Sequence, residues 1–430
     1  MPSEHAIPSS RRSGSATLWL AVLYGALIVY GTLFPLWEWT FPPLEWANPI
    51  TAPWPRSPSR TDLLVNVLAY APLGLLTALW LRLRTNLLIA VVLAVSLGSA
   101  LSFALETLQS ALPSRVPSPL DWIANTAGAA MGAFVATALD PRSAAGRSLR
   151  QLREAWFIDG ALANLALTIL ALWAFTQIAP FVPSLDVGNL RSGLKPIAHT
   201  LRDPSTFDTL RAAESALQIL ALGLLVHRIE RRAALWLFAA FSLAVLVYKV
   251  PAVGRQLTLE ALAGWAAAIM LLGILRSRSP AGGMAYTAIA LPAAYGLSQL
   301  EPGTGSALSA INWVPFRGQV GTVGGMLDIL ETLWPFMALG LMARWASPWR
   351  RRPWIMLVGG MLLAVFAFAL EWRQQSIPGR FADLTDVAFV VTGWLLPWLF
   401  SDIRSRTLPA ASTLQTSDPQ AGTRSAEESS

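Results

Sequence analysis

From Leu87 to Leu105 the chain runs for 19 residues without a charged side chain, and the next residue is Glu106. A segment that long and that apolar belongs in a bilayer or at the centre of a large core. Its companions decide between the two. Windows of about 20 mainly apolar residues recur at about 16–36, 62–82, 86–109, 120–139, 156–180, 209–227, 233–250, 257–275, 284–300, 326–345, 354–373 and 385–402. A soluble core of this size has no room for them all. Only 13% of the residues are charged, against about 25% in soluble proteins. The pattern predicts an all-α, polytopic integral membrane protein with about 12 transmembrane helices.

The basic residues give the chain a direction. If the N-terminus is cytoplasmic, 20 of the 32 Lys and Arg fall on the inside. They include Arg82 and Arg84, Arg142 to Arg153, Arg228 to Arg232 and Arg350 to Arg352. That asymmetry favours an N-in, C-in topology. It also gives the +7 net charge a membrane explanation, so no nucleic-acid partner is expected. The first apolar run lacks a small-residue cleavage site and reads as a retained anchor. Cys is absent and the three His are scattered, so neither a metal nor a cofactor is expected.

Polar side chains inside such runs need partners, because the bilayer offers none. The stretch Glu106 to Gly132 gathers several. Glu106 and Gln109 share a face at the end of one run, Arg115 sits in a Pro/Ser loop, and Asp121 and Asn125 open the next run. At 100° per residue, Asp121, Asn125, Gly128 and Gly132 fall within about 60° of one another. Earlier, Asp62 and Asn66 open the second run, which carries Gly74. Segment 37–61 holds Trp37, Trp39, Trp46 and Trp54 among prolines, and reads as an interfacial or re-entrant cover over the outer mouth.

The same frame returns without a gap at Glu371, Gln374, Arg380, Asp386 and Gly393, each 265 residues further on. Asp328 and Gly340 repeat Asp62 and Gly74, while Asn66 becomes Thr332, Asn125 becomes Val390 and Gly132 becomes Pro397. This reads as three four-helix units around a pseudo-axis: 16–140, an eroded copy over 141–278, and a second recognisable copy over 284–402. Tails at 1–15 and 403–430 read as disordered. The middle copy lacks an evident counterpart of Glu106 and reads as scaffold, with Lys249, Arg255 and Glu260 as surface or interface charges.

At these residues the chain resembles the VanZ-like family of four-helix membrane proteins. The resemblance rests on Asp62, Asn66, Pro72, Leu73 and Gly74, on Glu106 and Gln109, and on Arg115, Asp121, Asn125, Gly128 and Gly132. Asn312, Pro315 and Phe316 look like the family's N-x2-P-F signature. The family takes its name from a protein associated with low-level resistance to the glycopeptide teicoplanin. The resemblance therefore implies the envelope of a bacterial cytoplasmic (inner) membrane, and no defined reaction. Expected partners are membrane lipids, with a cell-wall lipid precursor or a glycopeptide beside them.

Each candidate also has a purely structural explanation. Ser118, Pro119, Leu120 and Asp121 spell a capping box, with the acid in the first turn. Glu106 could simply pair with Arg115. Asn66 and Asn125 could bond across helices, and Gly74, Gly128 and Gly132 suit close helix packing. Three function classes stay open. The first, favoured here, is a non-enzymatic protein binding a lipid headgroup or cell-wall precursor at the outer face through Asp62, Asn66, Glu106, Gln109, Arg115, Asp121 and Asn125. Asp328, Glu371, Gln374, Arg380 and Asp386 form a secondary set. The second is a transporter with Glu106 as proton carrier. The third is an enzyme acting on an anionic envelope lipid, with Glu106 as acid or base.

Overall fold

The computed structural model describes residues 9–33, 39–40, 54, 60–112, 118–140, 142–179, 183–232, 235–275, 280–303, 305, 308, 310–316 and 323–399. Helices occupy all the apolar runs. They are α1 (Ser9–Leu33), α2 (Arg60–Arg82), α3 (Leu87–Gln109) and α4 (Pro119–Leu139). Further on come α6 (Ala161–Ile178), α8 (Thr209–Ile229), α9 (Leu235–Tyr248) and α10 (Leu259–Leu275). The last group is α11 (Pro280–Leu300), α12 (Val323–Ala346), α13 (Arg352–Gln374) and α14 (Leu384–Leu399). Among the described residues, α2, α3, α4, α6, α8 and α13 are long and apolar enough to cross a membrane. This is a membrane protein. Its exterior agrees: Leu88, Val92 and Leu97 on α3, and Met361, Leu362 and Val365 on α13, are exposed apolar side chains facing where lipid would lie.

Two helices break the sequence expectation. Segments lying between the apolar windows fold into α5 (Ala144–Trp156) and α7 (Val187–Arg202). Both are amphipathic rather than uniformly apolar, so a search for apolar windows passes over them. On α5, Leu149 and Leu152 are exposed beside Arg147, Arg150 and Arg153, the pattern of a helix lying along a membrane surface. The Asp159 carboxylate holds that helix to the bundle, accepting from Arg153 at 2.5 Å and from Arg231 at 2.8 Å.

Glycines decide which helices meet. A Cβ built on Gly132 would overlap the Ala71 carbonyl, one on Gly128 the Val67 carbonyl, and one on Gly74 the Ala129 carbonyl. So α2 and α4 touch backbone to backbone, as small residues permit in membranes. The same device joins α8 to α10, where Gly264 lies against Ala212 and Ala216, and α12 to α14, where Gly393 lies against Leu333. Prolines Pro72, Pro292, Pro335 and Pro397 sit inside helices that continue through them.

The apolar core is divided unevenly. Helices α1 to α4 enclose two small clusters of their own, around Tyr70 and Leu105 and around Ala90 and Ala133. By contrast, α6 to α14 share one continuous cluster that includes Trp173, Leu225, Leu291, Phe336 and Trp394. Within it α6 packs on α12, and α8 packs on both α11 and α12. The first bundle meets the last through α2 against α12 and through Tyr30, whose hydroxyl donates to the Pro315 carbonyl at 2.8 Å. Its ring also stands edge-on to Phe316. The middle and last sets of helices thus share a common interior, while the first bundle keeps clusters of its own.

Candidate functional site

The end of the first bundle where α1 and α3 finish and α2 and α4 begin collects the predicted polar residues. Ser118 is the N-cap of α4, and its hydroxyl accepts from the Leu120 N–H at 3.2 Å. The capping box expected from the sequence is only half formed. Asp121 does not close it; Glu106 Oε2, from α3, accepts the Ser118 N–H at 3.0 Å instead. Glu106 is 4% exposed. Its carboxylate thus reaches an otherwise orphaned backbone donor at a helix start, where negative charge is favoured.

Asp121 is released to face α2. Its Oδ1 accepts from Asn66 Nδ2 at 2.7 Å. Asp62, one turn before Asn66, is exposed but close enough for its charge to act on Asp121, as Asp121 does on Glu106. Deeper in the bundle Asn125 Nδ2 donates to Ser102 Oγ at 2.9 Å, while the buried Asn125 Oδ1 has no hydrogen-bond partner among the described residues. Tyr70 approaches the same Ser102. Gln109 turns aside and donates to the Thr32 carbonyl of α1 at 3.2 Å. The structure therefore brings together Asp62, Asn66, Glu106 and Asp121, with Asn125 beneath them, and assigns Gln109 to joining α3 to α1. Arg115 lies outside the described residues.

Of the expected cover, Trp39 and Thr40 are described, together with Trp54. Trp39 packs on the upper core cluster, and the Thr40 N–H donates to the Ala111 carbonyl at 2.7 Å. Trp54 is exposed. The remainder of 37–61, apart from Arg60 and Thr61 at the start of α2, lies outside the described residues.

The secondary set has a related geometry. Glu371 Oε2 accepts from the Asp383 N–H at 2.7 Å, again a buried acid of one helix holding the backbone before the next. Asp383 in turn accepts from Thr385 and from Asn312 Nδ2, which ties the Asn312–Phe316 element to the start of α14. Phe316 takes a positive φ of 64° there. Gln374 Nε2 donates to Gln299 Oε1 at 2.9 Å. Arg380 bonds the carbonyls of Ser298 and Glu301 at the end of α11, so it caps a helix. Asp328 is exposed, and the Asp386 Oδ1 is buried without a hydrogen-bond partner among the described residues.

Sequence reasoning passed over the middle helices. Glu260 is buried, 6% exposed, and accepts from the Asp208 N–H at 3.3 Å, so of the two expected roles it is an interface charge and not a surface one. Arg255 bonds the carbonyls of Thr176 and Ala179 at the end of α6, as Arg380 does for α11. Both Arg255 and Lys249 line a cavity. The spacing from Thr176 and Ala179 to Pro180, matched by Ser298 and Glu301 before Pro302, is the signal that could have revealed this.

Comparison with known proteins adds one finding. Residues 18–140 match the VanZ/LLP1 family model, so the first bundle, α1 to α4, is VanZ-like. No curated protein and no solved structure matches the chain.

Proposed function

We propose that this membrane protein, whose residues 18–140 form a VanZ-like bundle, holds a lipid headgroup or cell-wall precursor at the outer face of the bacterial cytoplasmic membrane without catalysing a reaction. One observation carries the reading. Acid and amide side chains from three helices, Asn66, Glu106 and Asp121, meet at one end of the bundle. The loop bearing Arg115 joins two of those helices. Carboxylates and amides suit hydroxyl and amino groups of a headgroup or sugar, and a guanidinium suits its phosphate.

In this reading all twelve apolar helices cross the bilayer with both termini inside. The first and last four are copies, and the middle four are a third, eroded one. The parallel Glu106–Ser118 and Glu371–Asp383 bonds support the duplication. Occupying a wall precursor would also alter susceptibility to a glycopeptide such as teicoplanin that competes for it.

The test is reconstitution of the full chain in nanodiscs with a polyprenyl-phosphate, a polyprenyl-linked wall precursor or phospholipids, and measurement of binding. Asp121→Asn and Arg115→Ala should each weaken binding of one of these by tenfold or more. Unchanged binding of all of them in both variants rejects the reading. Topology is checked separately, because the chain has no cysteine. An impermeant thiol reagent applied to whole cells should label Ser205→Cys, between α7 and α8, and spare Ala145→Cys on α5. The reverse pattern puts the polar cluster on the wrong side.

A further inference from the structure

A cavity of about 280 Å³ lies between the middle and last sets of helices. Its walls come from the C-terminal parts of α6 and α11, the N-terminal part of α8, the start of α10 with the segment before it, and the middle of α12. It therefore sits toward the same end of the molecule as the Glu106 cluster, an end also marked by the Tyr30–Pro315 bond.

The walls are built in matching pairs. Glu214 stands nine residues before Gly223 on α8, and Glu331 nine before Gly340 on α12. Gln177 stands three before Pro180, and Gln299 three before Pro302. All four of these polar residues line the cavity. It sits where the two sets of helices meet with α6 on α12 and α8 on α11, a reciprocal contact like that of a two-fold interface.

Its charges are balanced and partly unspent. Arg211 is paired with Glu301 at 2.5 Å, and Arg255 uses Nε and Nη2 on the α6 carbonyls. Glu214 accepts from Gln218 on one oxygen. That leaves Lys249 and Glu331, whose charges act on each other and on the rest of the cavity without forming an ion pair among the described residues. Tyr295, 5% exposed, turns its hydroxyl toward Thr332 and Gln299, and that hydroxyl has no hydrogen-bond partner among the described residues. Separated, unpaired charges of both signs in a recess of low dielectric are costly unless something bridges them. A lone anion would be repelled by the two glutamates, and a lone cation by Lys249 and Arg255. A molecule with one group of each sign satisfies both walls.

We infer that this cavity binds a small zwitterion, its ammonium between Glu214 and Glu331 beside the Trp334 ring and its phosphate or carboxylate on Lys249. The volume is near the lower end of about 300–1,000 Å³ for ligand pockets, which suits a single headgroup or amino acid. The aromatic wall suits an ammonium.

The test uses the full chain carrying Ser215→Cys, a cavity position, as its sole cysteine. The rate of thiol labelling is measured with phosphoethanolamine, with alanine, and with the half-ligands ethanolamine and inorganic phosphate. It is also measured in vesicles of phosphatidylethanolamine and of phosphatidylglycerol. At least one zwitterion should slow labelling fivefold or more, and neither half-ligand should. Slowing by the soluble compounds identifies a free solute. Slowing only in phosphatidylethanolamine identifies a lipid headgroup. Glu331→Gln and Lys249→Gln, added singly, should each abolish the slowing while the unliganded labelling rate stays within twofold, which shows the fold intact. If either variant shifts that unliganded rate further, Tyr295→Phe replaces it and should weaken protection by threefold or more. No protection by any zwitterion, equal protection by a half-ligand, or protection that survives the substitutions overturns the inference.

Discussion

Adding one methyl group at Gly128 should loosen both the first bundle and its polar site. A Cβ built there would overlap the Val67 carbonyl oxygen and lie 2.9 Å from the Val67 carbonyl carbon and Cα, all backbone atoms that cannot swing aside. The helices must separate, and Val67 is the neighbour of Asn66, whose 2.7 Å bond to Asp121 spans the same gap. Overpacking by a methylene costs about 1–3 kcal/mol, and losing a hydrogen bond to a charged group about 1.5–3. Alanine's better helix propensity offsets about 1 kcal/mol. Gly128→Ala should therefore destabilise the protein by about 1.5–5 kcal/mol, centred near 3. The matched control is Gly25→Ala on α1, where the new Cβ meets, among the described residues, only Leu73 Cδ1 at 3.8 Å. That change should be neutral or stabilise by up to about 1 kcal/mol. Unfolding of the purified protein in mixed micelles by added SDS, followed by far-UV circular dichroism, measures both. If Gly128→Ala proves as stable as Gly25→Ala, the backbone contact between α2 and α4 does not exist as described.

Three further outcomes follow from the same geometry. Glu106→Gln keeps an acceptor for the Ser118 N–H and Glu106→Ala does not, so in the same assay the alanine variant should be less stable than the glutamine variant by about 1–3 kcal/mol. Glu371→Ala against Glu371→Gln should repeat that gap at Asp383; equal stabilities within either pair refute the capping role. The last concerns pH at the opposite end. Burial alone would raise the Asp140 carboxyl, but the Arg142 N–H and the Arg82 guanidinium, 2.5 Å away, outweigh it and hold the group below the usual carboxylate range. A depressed folded pKa gives stability that is complete above the unfolded value, about 3.9, and vanishes as pH falls through the folded one. The stability difference between wild type and Asp140→Asn should be constant above about pH 5 and shrink below about pH 4. A difference that stays constant down to pH 2 refutes it.

What the sequence disclosed and what it hid divide along a physical line. Apolar length locates the helices, because a bilayer demands it, and the ends fall within a few residues of those expected for α3 and α4. It hid α5 and α7, whose apolar residues occupy one stripe and never fill a window. Residue types at Glu106, Asn66 and Asp121 pointed to one end of the bundle, but the pairing did not follow from them. The capping-box pattern at Ser118 and Asp121 gave Asp121 the backbone donor that Glu106 takes from another helix. Local patterns cannot see that substitution, since Glu106 is twelve residues away in sequence. The cavity is less legible still. Glu214 and Glu331 look like isolated charges until the packing of α8 against α12 places them in one cavity.

The undivided interior of α6 to α14 also has a consequence for biosynthesis. Helices α1 to α4 have met all their principal neighbours once residue 140 has left the ribosome, so they can settle early. Helix α6 has no such luck: its chief partner, α12, is made more than a hundred residues later. During that interval its inward face has only α8 and α9 for company, and the cavity polar groups of α8 await their opposite wall. Nascent chains halted there should be the ones that membrane proteases remove, whereas chains halted just after α4 should persist.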